Sequence, residues 1–236
     1  MKKELNAFNL TFRGLTREKL LAETGRLKII ITVNAELIVL ANEIKRYREF
    51  INSNYATIDG QIPFMIARLK NRGIPFEKIS GSDFVYDICR CAAENQKRIF
   101  LLGGAETSNA KSKEILAERF GVEIDGYSPP YHPYPFTESL NHEMLKRIAA
   151  FKPHFLIVAL GSPKQEYWID DNKDFLDAQG VRLVVGVGGT FELVSGMETR
   201  APRVLRKIGL EGLWRLSQNP RRFKRFVRCF KMFKYV

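Results

Sequence analysis

Short apolar runs, each ended by glycine or a small polar group and followed by a helical pattern, restrict the fold of this chain more than any other feature. The clearest run, Phe155–Leu160, is apolar throughout, which is typical of a strand buried on both faces. It breaks at Gly161, and Pro163 then opens a polar helix. The other predicted strands are Leu27–Val33, Tyr55–Ile58, Lys97–Leu102, Val122–Ile124 and Val181–Val187. Their alternation with helices predicts an α/β fold with a doubly wound, mostly parallel sheet.

The positive charge of the chain is concentrated at its C-terminal end. The formal net charge is +12, and residues 200–236 hold twelve Lys and Arg but a single acid, Glu211. We therefore predict a near-neutral α/β domain over residues 1–195 and a basic helical appendage over residues 196–236. Within the domain, residues 1–26 are predicted to be a polar lead-in with one short strand near Leu10–Arg13.

The end of the appendage has the pattern of a basic amphipathic helix. A helix that starts at Pro220 aligns five apolar residues on one face: Phe223, Phe226, Val227, Phe230 and Phe233. Three interpretations stay open, because such a stripe can lie on an anionic membrane, pack on the domain as ordinary core, or belong to a nucleic-acid-binding tail. Phenylalanines gathered in one stripe favour contact with hydrocarbon or protein over base stacking.

Five strand exits carry glycine or a short polar group, and in a parallel sheet such exits lie along the edge where ligands bind. They are Thr32 with Asn34, Asp59–Gly60, Gly103–Gly104, Gly161–Ser162 and Gly188–Gly189. Backbone N–H groups and helix N-termini at this edge could cradle a phosphate, although glycine also simply ends strands. The segment Gly161–Glu166 is the strongest binding-site candidate, because a lysine, a glutamine and a glutamate occupy the first turn of its helix.

Asp59 is the candidate for acid–base chemistry. It follows an apolar strand and precedes Gly60, so its carboxylate should face the ligand crevice. A partly desolvated carboxylate there could remove the proton of an alcohol acceptor. An equally good interpretation from position alone is an N-cap for the next helix.

The sequence lacks the motifs that are typical of several functional classes. The three histidines are scattered, and no D-x-D or H-E-x-x-H motif is present, so the sequence disfavours a metal site. The glycine pairs do not complete G-x-G-x-x-G, and no G-x-S-x-G motif is present. Three cysteines form no disulfide framework, which fits a reducing cytoplasm. No apolar run approaches the ~18–20 residues that span a bilayer.

In combination, the motifs resemble those of the WecG/TagA/CpsF glycosyltransferases (glycosyltransferase family 26). In chain order the matching segments are T-V-N-A-E at Thr32–Glu36, Asp59–Gly60, G-S-D at Gly81–Asp83, F-L-L-G-G at Phe100–Gly104, D-G-Y at Asp125–Tyr127, G-S-P-K-Q-E at Gly161–Glu166, G-V-G-G-T-F at Gly186–Phe191, R-A-P at Arg200–Pro202 and G-L-E to N-P-R-R at Gly209–Arg222. The N-acetylmannosaminuronic acid transferases look most similar, because of N-A-E, V-G-G-T-F and the length of the tail.

The resemblance implies a Rossmann-like, UDP-sugar-dependent hexosyltransferase that needs no metal or other cofactor. Such an enzyme would move N-acetylmannosaminuronate or a related hexose, with inversion, to an undecaprenyl-diphosphate-linked saccharide in bacterial surface polysaccharide biosynthesis. It would be cytoplasmic and peripheral on the inner face of the cytoplasmic membrane, with an anionic membrane surface as partner. Residues 1–195 would bind the UDP-sugar and carry out catalysis, and residues 196–236 would dock on the membrane.

Site residues are carried over from the matching motifs. Asp59 would be the general base, and Gln165 would help to hold the donor. The expected substrate-binding residues are Thr32, Asn34, Gly60, Lys78, Asp83, Gly103, Gly104, Gly126, Gly161, Lys164, Gln165, Glu166, Gly188 and Gly189. The arginines expected at the membrane or the acceptor diphosphate are Arg200, Arg203, Arg215, Arg222 and Arg225.

The chain departs from the family at positions that bear on substrate preference. Lys78 stands where the family usually has arginine, and it lacks the bidentate fork that suits a phosphate. Gly212 stands where a tryptophan is common. The alternative function is a non-catalytic nucleotide- or RNA-binding α/β protein with a basic tail; a transferase would need no nucleic acid. The apolar tail residues could also join copies into a homo-oligomer.

Overall fold

The computed structural model describes residues 4–220 and 223–236. Its strands are β1 (Leu5–Ala7), β2 (Leu10–Phe12), β3 (Lys28–Val33), β4 (Tyr55–Ile58), β5 (Ile99–Gly103), β6 (Ile124–Tyr127), β7 (Phe155–Ala159) and β8 (Leu183–Gly186). Its helices are α1 (Arg17–Leu21), α2 (Ala35–Glu43), α3 (Lys45–Ser53), α4 (Gln61–Lys70), α5 (Gly81–Glu94), α6 (Glu106–Phe120), α7 (Glu138–Phe151), α8 (Lys164–Ala178), α9 (Thr190–Val194), α10 (Arg203–Lys207), α11 (Glu211–Gln218) and α12 (Phe223–Phe230). A 3₁₀ helix follows at Lys231–Tyr235.

Six strands form one parallel sheet, in the order β4-β3-β8-β7-β5-β6. The register places Leu101 of β5 beside Ile157 of β7, and Ile157 beside Val185 of β8, and all three side chains are buried. These central strands are apolar almost throughout because helices cover both faces of a parallel sheet. The doubly wound α/β fold predicted from the sequence is confirmed.

By its contacts the chain divides into two compact units. The first unit holds residues 1–20, 31–80 and 198–236, and the second holds residues 21–30 and 81–197. The chain passes from one unit to the other within β3. The expected boundary after residue 195 rests on charge rather than on packing, and it stays a prediction.

The first unit begins with an antiparallel hairpin. Leu5 of β1 lies opposite Phe12 of β2, and both side chains are buried. The two turn residues, Phe8 and Asn9, have φ values of 56° and 59°, the left-handed conformation that a tight hairpin turn requires. The strand predicted near Leu10–Arg13 is confirmed as β2. The prediction of a polar lead-in around it is wrong, because β1 and α1 also form there. The two strands have only three residues each, too few for alternation to stand out.

Two predicted boundaries also shift. The strand expected at Val122–Ile124 lies at Ile124–Tyr127, because Gly121 ends α6 in the left-handed conformation and the chain needs two more residues to rejoin the sheet. The helix expected from Pro220 to Phe233 is divided into α12 and the 3₁₀ helix, and residues 221 and 222 of that prediction lie outside the described residues.

Candidate active site

The exit of β3 is built from a buried threonine and a capping asparagine. Thr32 lies inside the strand and is buried. Asn34 is the N-cap of α2, and its side-chain oxygen accepts a hydrogen bond from the Leu37 N–H at 3.1 Å. Asn34 therefore fixes the start of the helix. This structural role of its side-chain oxygen is separate from the sugar contact expected for Asn34.

The exit of β4 holds Asp59 next to the end of β3. The Asp59 N–H donates to the Val33 carbonyl at 2.9 Å, so the strand pairing continues one residue beyond β4. Gly60 has φ 93° and ψ 145°, a conformation that is essentially restricted to glycine. Gly60, and not Asp59, occupies the N-cap position of α4. The glycine turn thus leaves a half-buried carboxylate at the strand exit.

Lys78 lies beside this turn. Its backbone forms a parallel bridge with Ile58, the last residue of β4. Its ammonium donates to the side-chain oxygen of Gln61, the first residue of α4, at 2.8 Å. The structure therefore brings Asp59, Gly60 and Lys78 together in the first unit, and Gln61, which the sequence analysis did not select, holds the ammonium in place.

In the second unit, Gln165 joins the exits of β7 and β8. Its side chain is buried, with 2% exposed. Its oxygen accepts from the N–H groups of Gly161 and Gly188, at 3.2 Å each. Its amide nitrogen donates to Glu166 at 2.7 Å and to Ser162 at 3.2 Å. All four hydrogen-bonding positions of the amide are thus used within the protein, so Gln165 shapes the two glycine loops from beneath.

Gly161 and Gly188 border open space at these loops. Gly161 has φ 82° and Gly188 has φ 53°, and a Cβ atom added to either would meet no atom within 4 Å. Gly189 follows as the N-cap of α9. These loops leave room for a ligand on their outer side.

The packing leaves no room for a side chain at three further glycines, Gly103, Gly104 and Gly126. A Cβ at Gly103 would lie 2.7 Å from the backbone of Ala159, and one at Gly104 would lie 2.8 Å from the Phe191 ring. Gly126 lies inside β6 rather than in a loop, and a Cβ there would collide with the side-chain oxygen of Asn109. Close approach accounts for these three glycines without a ligand.

Lys164 is enclosed by the loop that follows β6. Its ammonium donates to the His132 carbonyl at 3.0 Å and lies 4.4 Å from the centre of the Tyr131 ring. Burial lowers the pKa of Lys164, because the charged form loses solvation. Tyr131 itself is 90% exposed. Tyr131 of the loop and Lys164 of α8 therefore place an aromatic face and a cation side by side.

Two carboxylates of the second unit are buried wholly or in part. Glu166 accepts hydrogen bonds from the Ser162 hydroxyl at 2.8 Å and from Gln165. Glu192, in α9, receives one long bond of 3.4 Å from Ser108, and its Oε2 is buried without a hydrogen-bond partner in the described structure. Sequence reasoning missed Glu192, and its position directly after the G-V-G-G-T-F motif is the signal that could have found it. Asp83 lies in the first turn of α5.

The tail arginines have different surroundings. Arg225 pairs with Glu36 of α2, whereas the Nε of Arg215 in α11 is buried without a hydrogen-bond partner among the described residues. Arg203 is exposed at the start of α10, and Arg200 is half-buried. Arg222 lies outside the described residues.

The apolar stripe predicted for the tail faces outward. Phe223, Phe230 and Phe233 are each at least half exposed. In the described part of the chain from residue 223 onward, only Met232 is buried. The stripe is therefore not ordinary core in this structure.

The described residues contain neither a metal-binding cluster nor a membrane-spanning helix. No cluster of three or more His, Cys, Asp or Glu side chains in the described part of the chain could hold a metal ion. Over the same residues, no helix is both long and apolar enough to cross a membrane.

Comparison with known proteins gives one family match. The model of the glycosyl transferase WecG/TagA/CpsF family matches residues 5–236, which is nearly the whole chain.

Proposed function

We propose, from the premise that this chain belongs to the WecG/TagA/CpsF family of glycosyl transferases, that it moves a sugar from a UDP-sugar to an undecaprenyl-diphosphate-linked saccharide. The donor sugar is N-acetylmannosaminuronate or a related hexose, and the product enters bacterial surface polysaccharide biosynthesis. The observation that carries the proposal is the half-buried Asp59 carboxylate at the β4 exit, where Gln61, the first residue of the following helix, holds the Lys78 ammonium.

The reaction is a direct displacement that inverts the anomeric carbon. Asp59 takes the proton of the acceptor hydroxyl as its oxygen attacks the anomeric carbon of the donor. The bond from that carbon to the diphosphate oxygen breaks, and UDP leaves with the electron pair. Neither a metal nor another cofactor takes part in the proposed reaction.

The departing diphosphate needs cationic and hydrogen-bonding groups to stabilise its charge. Arg215 is suited to this role, because its buried Nε has no hydrogen-bond partner in the described structure and can donate to a phosphate oxygen. Lys164 and Tyr131 offer a cation and an aromatic face to the donor. Gln165 contributes indirectly, by holding the Gly161 and Gly188 loops in position.

The tail brings the enzyme to the membrane. Its exposed phenylalanine stripe suits hydrocarbon, and the surrounding Lys and Arg suit anionic headgroups. This docking supports a peripheral position on the cytoplasmic face of the membrane. Membership of a transferase family and the exposed stripe together favour this function over an RNA-binding module.

Replacement of Asp59 tests the catalytic assignment. We expect Asp59→Asn to lower kcat by about 10²–10⁴-fold, the usual contribution of a general base, while UDP-sugar affinity stays within about twofold. Asp170→Asn, in α8 where Asp170 pairs with Lys173 three residues along the helix, is the matched control and should turn over normally. Near-wild-type UDP release by Asp59→Asn would remove Asp59 as the base.

A further inference from the structure

Helix α4 exposes an apolar stripe of its own. Ile62, Met65 and Leu69 are spaced three and four residues apart, so they lie on one face of the helix. Their side chains are 38%, 53% and 65% exposed, in that order along the helix. Since α4 begins two residues after Asp59, this stripe starts next to the proposed base and runs away from it.

The inner side of α4 is firmly packed, so the exposed stripe is a fixed part of the folded surface. Pro63 and Ala67 are buried. Phe64 packs edge-on against Phe76, with ring centres 5.2 Å apart. The side chain of Asn71, at the end of the helix, donates to the Asn6 carbonyl of β1 at 3.2 Å.

The stripe is continuous with the apolar surface of the tail. The backbone of Gly209, between α10 and α11, packs against Ile62 so closely that a Cβ atom there would lie 2.8 Å from the Ile62 side chain. On either side of Gly209, Ile208 is 57% exposed and Leu210 is 38% exposed. Exposed apolar side chains therefore extend from the tail onto α4.

The charges on α4 itself have one sign. Helix α4 contains no acidic residue, and its last turn carries Arg68 and Lys70, which are both exposed. Arg72 follows the helix and is also exposed. An apolar stripe flanked by basic side chains is the pattern of a helix that lies in the interface of an anionic bilayer.

We infer that α4 is a second membrane-docking element, which lies in the interface of an anionic bilayer together with the tail. The occupant of its apolar face is lipid. This inference rests on the proposed function, and it adds that two segments remote in the sequence contact the membrane. Because Asp59 immediately precedes α4, docking through this helix holds the base at headgroup level, where the saccharide of a lipid-linked acceptor lies.

Vesicle binding of the full chain tests the inference. Met65→Glu and Leu69→Glu should each lower the fraction bound to mixed phosphatidylglycerol and phosphatidylcholine vesicles by about tenfold, because a carboxylate is repelled from both the apolar layer and the anionic headgroups. The matched control is Ala150→Glu, since Ala150 is exposed on α7 and lies in the second unit. It should bind vesicles like the wild type. Thermal unfolding of each variant checks that the exposed substitutions leave the fold intact.

Each other outcome has a defined meaning. The inference would be overturned if Met65→Glu and Leu69→Glu bound vesicles as well as the wild type does. It would also be overturned if the wild-type protein released UDP from its donor but did not bind vesicles. A wild-type dimer in sedimentation without lipid, converted to monomer by Met65→Glu, would show that a second copy covers the stripe and would also overturn it. Loss of vesicle binding in the α4 variants of a protein without transferase activity would uphold α4 as a lipid-binding element and refute the proposed function.

Discussion

The Nε of Arg225 lies 2.9 Å and 3.0 Å from the two carboxylate oxygens of Glu36. Glu36 is in the first turn of α2, close to the exit of β3, and Arg225 is in α12 near the end of the chain. A second ion pair, Lys231 with Glu43 at 3.3 Å, joins the same two regions. The basic tail is thereby joined to α2 by charge, while Phe223, Phe230 and Phe233 face outward.

Removal of this ion pair should loosen the tail. We expect Glu36→Gln to speed amide hydrogen exchange in residues 223–235, with an effect on global stability of at most about 1–2 kcal/mol, because a partly exposed ion pair contributes little. Glu49→Gln, which breaks an ion pair with Lys45 inside α3, is the control and should leave exchange in the tail unchanged. Equal exchange in both variants would show that the ion pair does not hold the tail.

Gln165→Leu should damage both glycine loops at once. The substitution keeps the approximate volume but leaves the N–H groups of Gly161 and Gly188 without their acceptor, at a cost of about 1–3 kcal/mol. The donor KM should rise, since the loops lose their common support. Chemical denaturation and UDP-sugar titration measure the two effects, and a stable variant with normal KM would contradict the positioning role.

Glu192→Gln should weaken donor binding more than it lowers the stability of the fold. The buried Oε2 has no hydrogen-bond partner in the described structure, so a ligand hydroxyl is a suitable donor to it. The amide is a weaker acceptor than the carboxylate, and we expect donor KM to rise about tenfold with kcat nearly unchanged. A change in kcat alone, with KM intact, would argue against contact between Glu192 and the donor.

His154 should make stability depend on pH below neutrality. Burial, followed by the charges of Lys97 and Arg98, lowers the pKa of His154. Its Nδ1 accepts from the Arg98 N–H at 3.1 Å, which requires an unprotonated nitrogen. Because the unfolded chain binds a proton near pH 6.5 and the folded chain only at lower pH, this contribution is complete above about pH 6.5 and is lost as pH falls from there to the lowered pKa.

Denaturant unfolding at a series of pH values measures this loss. His154→Gln should flatten the decline below about pH 6.5, since its amide does not titrate. His142→Gln is a control on the outer side of α7, where His142 is exposed. An unchanged pH profile in His154→Gln would assign the decline to other groups.

The parallel sheet was readable from the sequence because its strands have a strong local signal. Runs such as Phe155–Leu160 are apolar at every position, and only a strand or helix buried on all sides accounts for them. The β1–β2 hairpin has no comparable signal. Its pairing depends on the turn at Phe8 and Asn9 and on the core that receives Leu5 and Phe12.

The site was only partly readable, because sequence position does not show which way a side chain points. Gly161 and Gln165 lie in one motif, yet the first borders open space and the second is buried beneath it. Gly126 has the sequence context of a loop but fits inside β6 against Asn109. Pairs such as Lys78 with Gln61, or Arg225 with Glu36, join residues that no local pattern connects.

The path of the chain through its two units affects how the protein folds during synthesis and what a truncation removes. The first unit contains residues from both ends of the chain, and the second contains most of the middle. During synthesis the segment 81–197 leaves the ribosome before the tail, so the second unit can begin to fold while the first still lacks its last 39 residues, 198–236. A protein shortened at residue 197 therefore lacks part of the first unit. Point substitutions in the tail are the sounder way to separate its functions.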